Sequence, residues 1–133
     1  MDFKYNDGGR SKYFAASSVS DCVTRAVAIA TGNDYKQVYD IIASLCGYTP
    51  RNGVKKTDTK KVMKYFGGVW HPCMGVGTGC KTHLADNEVP MRGHVVCSCS
   101  KHVTCIVDGV INDTYDPSRN GTRCVYGYWT FNN

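Results

Sequence analysis

His102-Val103-Thr104-Cys105-Ile106-Val107, then Asp108-Gly109, then Val110-Ile111-Asn112-Asp113-Thr114-Tyr115 (HVTCIVDGVINDTY) is the stretch that decides the fold. Two β-branched runs flank a two-residue break, as strands joined by a tight turn should. Asp-Gly suits a type I′ turn, which needs positive φ at both central residues. The turn predicts a hairpin in which Val107 faces Val110, Thr104 faces Asp113 and His102 faces Tyr115. Opposed residues share a face of the pleat, and so do residues two apart on one strand. Asp113 therefore lies diagonally across from His102 on one face. Asn112 falls on the other face, and Asp108 sits in the turn.

Outward from this hairpin, Val95 to Cys99 and the aromatic-rich Thr122 to Phe131 read as further strands. Upstream the periodicity changes. Val23, Ala26, Val27 and Ala30 recur at i, i+3, i+4, i+7, which predicts a helix over 21–31 with Ser20 as cap and Gly32 as stop. Asp34 to Gln37 fits a capping box that opens a second helix, with Val38, Ile41, Ile42 and Leu45 as its stripe and Gly47 at its end. A third helix is expected from Asp58 to Phe66, capped by Thr57, with Val62, Tyr65 and Phe66 facing inward. The first twenty residues read as an irregular lead-in. Helices first and strands afterwards predict an α+β fold, with N-terminal helices packed on a C-terminal antiparallel β-sheet.

At 133 residues the length suits a single domain spanning 1–133. No apolar run approaches the roughly 20 residues that span a bilayer. Met1 to Arg10 lacks the apolar run of a signal peptide, so a reducing, cytoplasmic setting is expected. In that setting the eight cysteines read as thiols rather than disulfides. Net charge is +5, from 16 basic and 11 acidic residues, and the basic ones are scattered except for Lys55, Lys56, Lys60, Lys61 and Lys64. At helical spacing 56, 60 and 64 form one solvated stripe, so nucleic-acid binding is not the favoured reading. Arg25, Arg51 and Arg123 are expected to be solvated, and the nine tyrosines to serve core and sheet.

Chemistry concentrates on Cys22, His102 and Asp113. Cys22 falls in the first turn of its helix, where free N–H groups and the dipole favour a thiolate. It lies at the edge of the buried stripe, and Asp21 beside it opposes the effect. A thiol becomes a good nucleophile when a base holds its proton and a third group orients that base. Helix-borne cysteine, then histidine and acid on adjacent strands, is the chain order of papain-like enzymes. One part is missing. The single glutamine, Gln37, lies after the cysteine, so no upstream glutamine is available for an oxyanion. The Cys22 N–H supplies one donor, and Ser17, Ser18 and Ser20 are open as sources of another.

Cys22 to Gly32 (CVTRAVAIATG) and Ser100 to Arg119 (SKHVTCIVDGVINDTYDPSR) together resemble a family of short bacterial and phage proteins. Asp7 to Arg10 (DGGR), Arg51 to Val54 (RNGV), Gly79 to Leu84 (GCKTHL) and Gly121 to Trp129 (GTRCVYGYW) extend the resemblance over nearly the whole chain. It implies a papain-like cysteine-peptidase fold with Cys22, His102 and Asp113 as the triad, and it implies no particular substrate. The chemistry of the three residues leads to a peptide or other amide as the expected substrate, with no cofactor. The layout is more distantly similar to bacteriocin-processing peptidases, cell-wall amidases and transglutaminases. Two other readings stand beside a cysteine hydrolase. One is a catalytically inactive binding or inhibitor protein on the same fold. The other is a small zinc domain, nucleic-acid-associated, with His71, Cys73, Cys80 and His83 as ligands. The segment Gly75 to Gly79 lacks the Gly-Lys-Ser/Thr ending of a phosphate loop and reads as a flexible loop.

Overall fold

The computed structural model describes residues 1–15, 20–75 and 77–132. It contains strand β1 (Asp2–Tyr5), helices α1 (Cys22–Thr31), α2 (Tyr35–Cys46) and α3 (Lys56–Tyr65), and strands β2 (Val69–Pro72), β3 (His94–Cys99), β4 (His102–Val107), β5 (Val110–Asp113) and β6 (Gly127–Phe131). Helix α1 buries Val23, Ala26, Val27 and Ala30 and ends on Gly32, whose φ of 71° is left-handed. Its cap is Asp21 rather than Ser20, and the Asp21 side chain makes no capping bond because it is committed elsewhere. Helix α2 follows its pattern closely: Asp34 accepts from the Gln37 N–H, Val38 and Ile42 are buried, and Gly47 closes the helix. Helix α3 starts two residues early, at Lys56 after Lys55, without a side-chain cap. Thr59, Val62 and Met63 are its buried residues, whereas Tyr65 is 58% exposed.

The sheet has six strands in the order β1-β5-β4-β3-β6-β2. The fold is α+β, but the sheet is mixed and is not built from the C-terminal half alone. β1 emerges from the expected irregular lead-in and pairs in parallel with β5, from Asp2 opposite Val110 to Tyr5 opposite Asp113. β2 pairs antiparallel with β6 at the far edge. Both strands are four residues long, largely exposed, and on a sheet edge. They bury one face too little to show apolar alternation, which is the signal a strand needs to be read from sequence.

The central hairpin forms as its turn chemistry requires. Asp108 and Gly109 both have positive φ, 48° and 81°, and Val107 pairs with Val110. β5 stops at Asp113, so Thr114 and Tyr115 lie beyond the strand. Residues 122–126, expected as the start of the last strand, instead hold the 82–84 segment through Leu84 N–H to Arg123 O and Val125 N–H to Thr82 O, both 2.8 Å.

Both faces of the sheet are covered. Helical residues such as Val27, Val38, Ile42, Val62 and Met63 pack with Val96, Val103, Cys105, Trp129 and Phe131. Leu84, Val89 and Val125 cover Val95, Cys97, Ile106 and Ile111. Cys80 and Cys124, 44 residues apart, are joined by a disulfide with a Cα separation of 5.8 Å, which corrects the reading of all eight cysteines as thiols. They meet because His83 bridges to Cys124 where the two segments run antiparallel, a long-range pairing no local pattern announces. Closing a loop of this length stabilises the oxidised chain by about 4 kcal/mol on loop-entropy grounds.

Gly127 is where β6 and β2 meet most closely. A Cβ there would strike the Trp70 ring and lie 2.9 Å from the His71 carbonyl oxygen. Gly127→Ala should therefore destabilise the protein by about 1–3 kcal/mol, as overpacking typically does. A urea melt checks this, and an unchanged midpoint would contradict the close approach of the two strands.

Candidate functional site

Cys22 is the first residue of α1 and is half-buried beside the core. β5 pairs with β4 only as far as Cys105, so β4's first three residues have no strand neighbour on that side. Cys22 occupies this opening. The Val103 backbone amide donates to its sulfur, and the His102 imidazole lies next to it.

His102 Nε2 donates to Asp113 Oδ2 at 2.8 Å. With Nε2 so engaged, Nδ1 is the ring nitrogen left for the sulfur. Thr104 Oγ also donates to Asp113 Oδ2, at 2.7 Å. Asp113 Oδ1 accepts from its neighbour's backbone, Thr114 N–H at 2.7 Å, and from Arg25 Nη2 at 3.3 Å. His102, Thr104 and Asp113 thus meet on one face, as hairpin parity requires. The Tyr115 ring, 5.2 Å from the imidazole, packs against it from beyond the strand end.

The electrostatics follow from these contacts. Burial alone would raise the Asp113 carboxyl, but donation from His102 and Thr104 outweighs it and holds the acid below its ordinary value. Burial would lower His102, yet the Asp113 hydrogen bond and the Cys22 sulfur lift it from 6.5 to about 9. For Cys22, burial opposes ionisation, and the His102 hydrogen bond and charge, the Val103 amide and the Arg25 charge overcome it, so the thiol falls below its usual 9.0. Both shifts favour a thiolate–imidazolium pair. Burial pushes Cys97, Cys99 and Cys105 upward instead.

Arg25 corrects the expectation of a solvated side chain. It is only 6% exposed and bridges Asp113 to Asp21, its Nη1 bonding Asp21 Oδ1. Asp21, 1% exposed, also receives Arg10 Nη1 at 3.4 Å and the Tyr35 hydroxyl at 2.5 Å. The acid that stood next to Cys22 as an opposing charge is therefore neutralised inside the protein. Arg123, 8% exposed, is likewise structural: its Nη2 donates to Ser100 O at 2.6 Å and secures the β3–β4 turn just before His102. Arg25 and Arg123 each have a near acceptor, Asp21 and Pro117 O, but the partners that tie them to other elements, Asp113 and Ser100 O, are 88 and 23 residues away and leave no local signal.

A cleft of about 1000 Å³ opens on Cys22 and His102. Ser20, Gly75 and Asn52 are among its lining residues. Ser17 and Ser18 lie outside the described residues. Asn52 was not singled out by any sequence signal, since it sits in a single 3₁₀ turn over Pro50–Asn52. It carries the only side-chain amide on the cleft wall among the described residues.

The proposed zinc ligands do not assemble. His71 Nε2 bonds Thr130 Oγ at 3.1 Å, His83 Nδ1 bonds Glu88 at 3.0 Å, and Cys80 is in its disulfide. Among the described residues no three His, Cys, Asp or Glu side chains group as metal ligands. Nor is any helix among them long and apolar enough to cross a membrane. No family model, curated protein or solved structure matches the chain.

Two outcomes test this geometry. Arg25→Gln removes the cation shared by two buried carboxylates and should cost about 3–5 kcal/mol in urea unfolding. Cys46 is the natural control for Cys22, since burial and Asp58 raise its pKa. Near neutral pH iodoacetamide should alkylate Cys22 about tenfold faster or more. His102→Ala should move the Cys22 midpoint upward toward an ordinary thiol, read by mass spectrometry across pH.

Proposed function

We propose that this chain is a cysteine acyl-transfer enzyme of the peptidase or amidase type, working on a papain-like fold with Cys22 as nucleophile. The observation that carries the reading is the run of contacts from Asp113 through His102 to the Cys22 sulfur, ending at an open cleft. A half-buried Cys–His pair with both shifts favouring the ions is the arrangement nucleophilic thiol catalysis needs. The order of cysteine, histidine and acid along the chain, with the cysteine on a helix packed against the strands that carry the other two, supports the papain-like reading. The parallel β1 and the missing upstream glutamine are its departures from that pattern.

The chemistry balances on these residues. The Cys22 thiolate attacks the carbonyl carbon of an amide, forming the C–S bond and a tetrahedral oxyanion. The Cys22 N–H donates to that oxygen, and Asn52 supplies the second donor, being the side-chain amide on the cleft wall. Gly53 supports this placement, since a Cβ on it would lie 3.6 Å from the carbonyl oxygen of Ser20, two residues before the nucleophile. His102 then gives its Nδ1 proton to the nitrogen as the C–N bond breaks, leaving a thioester and a free amine. Water, deprotonated by His102, attacks the thioester. The C–S bond breaks, and the acid is released with the thiolate and imidazolium restored.

The test uses p-nitrophenyl acetate with the whole protein. Intact-mass analysis should show one acetyl group, placed on Cys22, and His102→Ala should slow its formation by about 10²–10⁴-fold. Asn52→Ala should slow it by roughly 10²-fold. Acetylation spread evenly over Cys22 and Cys46, or indifferent to His102, would leave an inactive binding protein as the reading. pH gives an independent check. His102 must hold its proton to discharge an amine, and that proton is lost as pH rises through about 9. Amide cleavage should therefore decline above that point, while the acid limb, set by the pair as a whole, lies below ordinary thiol ionisation.

A further inference from the structure

The wall of the cleft away from Cys22 has a chemistry of its own. Lys56 and Lys60 are one helical turn apart on α3 and both line it. They belong to the expected solvated stripe and are exposed, and Lys56 Nζ sits 5.7 Å from the Tyr126 ring centroid and Lys60 Nζ 6.0 Å from that of Trp70. Trp70 in turn packs on Trp129 at 4.5 Å, and both rings line the cleft. Lys101 adds a third cation beside His102, and no carboxylate lines the cleft among the described residues. The two α3 lysines are therefore held over aromatic faces with their charge unspent on any acid of the cleft wall. Neighbouring strands lie about 4.8 Å apart, so across the sheet from β4, β6 is about 10 Å and β2 about 14 Å away. An extended chain advances about 3.3 Å per residue, which places this aromatic and cationic region roughly three to five residues from the attacked carbonyl.

We propose that the cleft binds an extended acidic peptide, with carboxylates taken by Lys56 and Lys60 and an apolar side chain resting against Trp70 and Trp129. This assignment rests on the acyl-transfer reading of Cys22 for the peptide's role as substrate, but binding itself does not require turnover. A peptide is favoured over a nucleic acid because the cleft leads to a nucleophile suited to an acyl carbon.

Trp70 and Trp129 are the two tryptophans of the chain, so fluorescence excited selectively at tryptophan, beyond the absorption of the nine tyrosines, reports on this wall. The experiment titrates full-length Cys22→Ala protein with an N-acetylated, C-amidated hexapeptide carrying two adjacent glutamates and one leucine among alanines. A glutamine counterpart is titrated in parallel. The glutamate peptide should bind about tenfold tighter at low salt, and the preference should vanish in Lys56→Gln/Lys60→Gln and at high ionic strength. Equal binding of the two peptides, or a preference that survives both the double variant and salt, overturns the proposal. So does a single-stranded oligothymidylate that outbinds the glutamate peptide. Because the titration is made without the nucleophile, its failure leaves the acetylation result standing, and the reverse also holds.

Discussion

The structure depends on one carboxylate being satisfied in a dry place. Asp113 is 3% exposed, and an isolated charge so placed would be costly enough to take up a proton. It stays ionised because four donors from separate parts of the chain converge on it: His102 and Thr104 from β4, Arg25 from α1 and the Thr114 amide. Each donor fixes something. Thr104 and His102 lock the hairpin register, and a slip by one residue would carry the acid to the wrong face. Arg25 ties α1 to the sheet at the helix's first turns, and so decides where the Cys22 sulfur can be.

The same convergence links the charged pair to pH with opposite signs. His102 is raised in the fold, so its contribution to stability is present below its unfolded value of 6.5 and is lost as pH rises through about 9. The Cys22 thiol is lowered in the fold, so its contribution is present above its unfolded value of 9.0 and is lost as pH falls through the folded one. The two slopes oppose each other. Where the folded pair is thiolate and imidazolium it binds one proton, as an unfolded thiol with a neutral histidine does.

What could be read from the residues follows from range. Parity across a two-residue turn is local, and it placed Asp113 on the His102 face. Helical periodicity put Cys22 at the edge of a buried stripe, and the half-buried sulfur is where that predicts. The Asp34 cap and the Gly32 and Gly47 stops are equally local. The features that escaped are those decided at a distance. Arg25 has the composition of a surface residue until Asp113 comes to it from 88 positions away. Cys80 and Cys124 pair only because two loops run side by side. Asp21 was legible as a charge next to the sulfur, but not as one cancelled by Arg10, Arg25 and Tyr35.

The two strands without a sequence signature then turn out to hold the two ends of the site. β1 lies parallel to β5, with Tyr5 opposite Asp113 and the Asn6 N–H bonded to the Asp113 carbonyl at 2.8 Å. Without it, the strand end that carries the acid would be a free edge, and edges fray. β2 closes the opposite edge and brings Trp70 against Trp129, which gives the cleft its aromatic wall. Edge strands are where sequence pattern is weakest, because half of their surface faces water and little of it must be apolar. In this fold the same exposure leaves them free to serve the site. One braces the acid bonded to the imidazole, and the other extends the aromatic wall of the cleft along which the proposed peptide would lie.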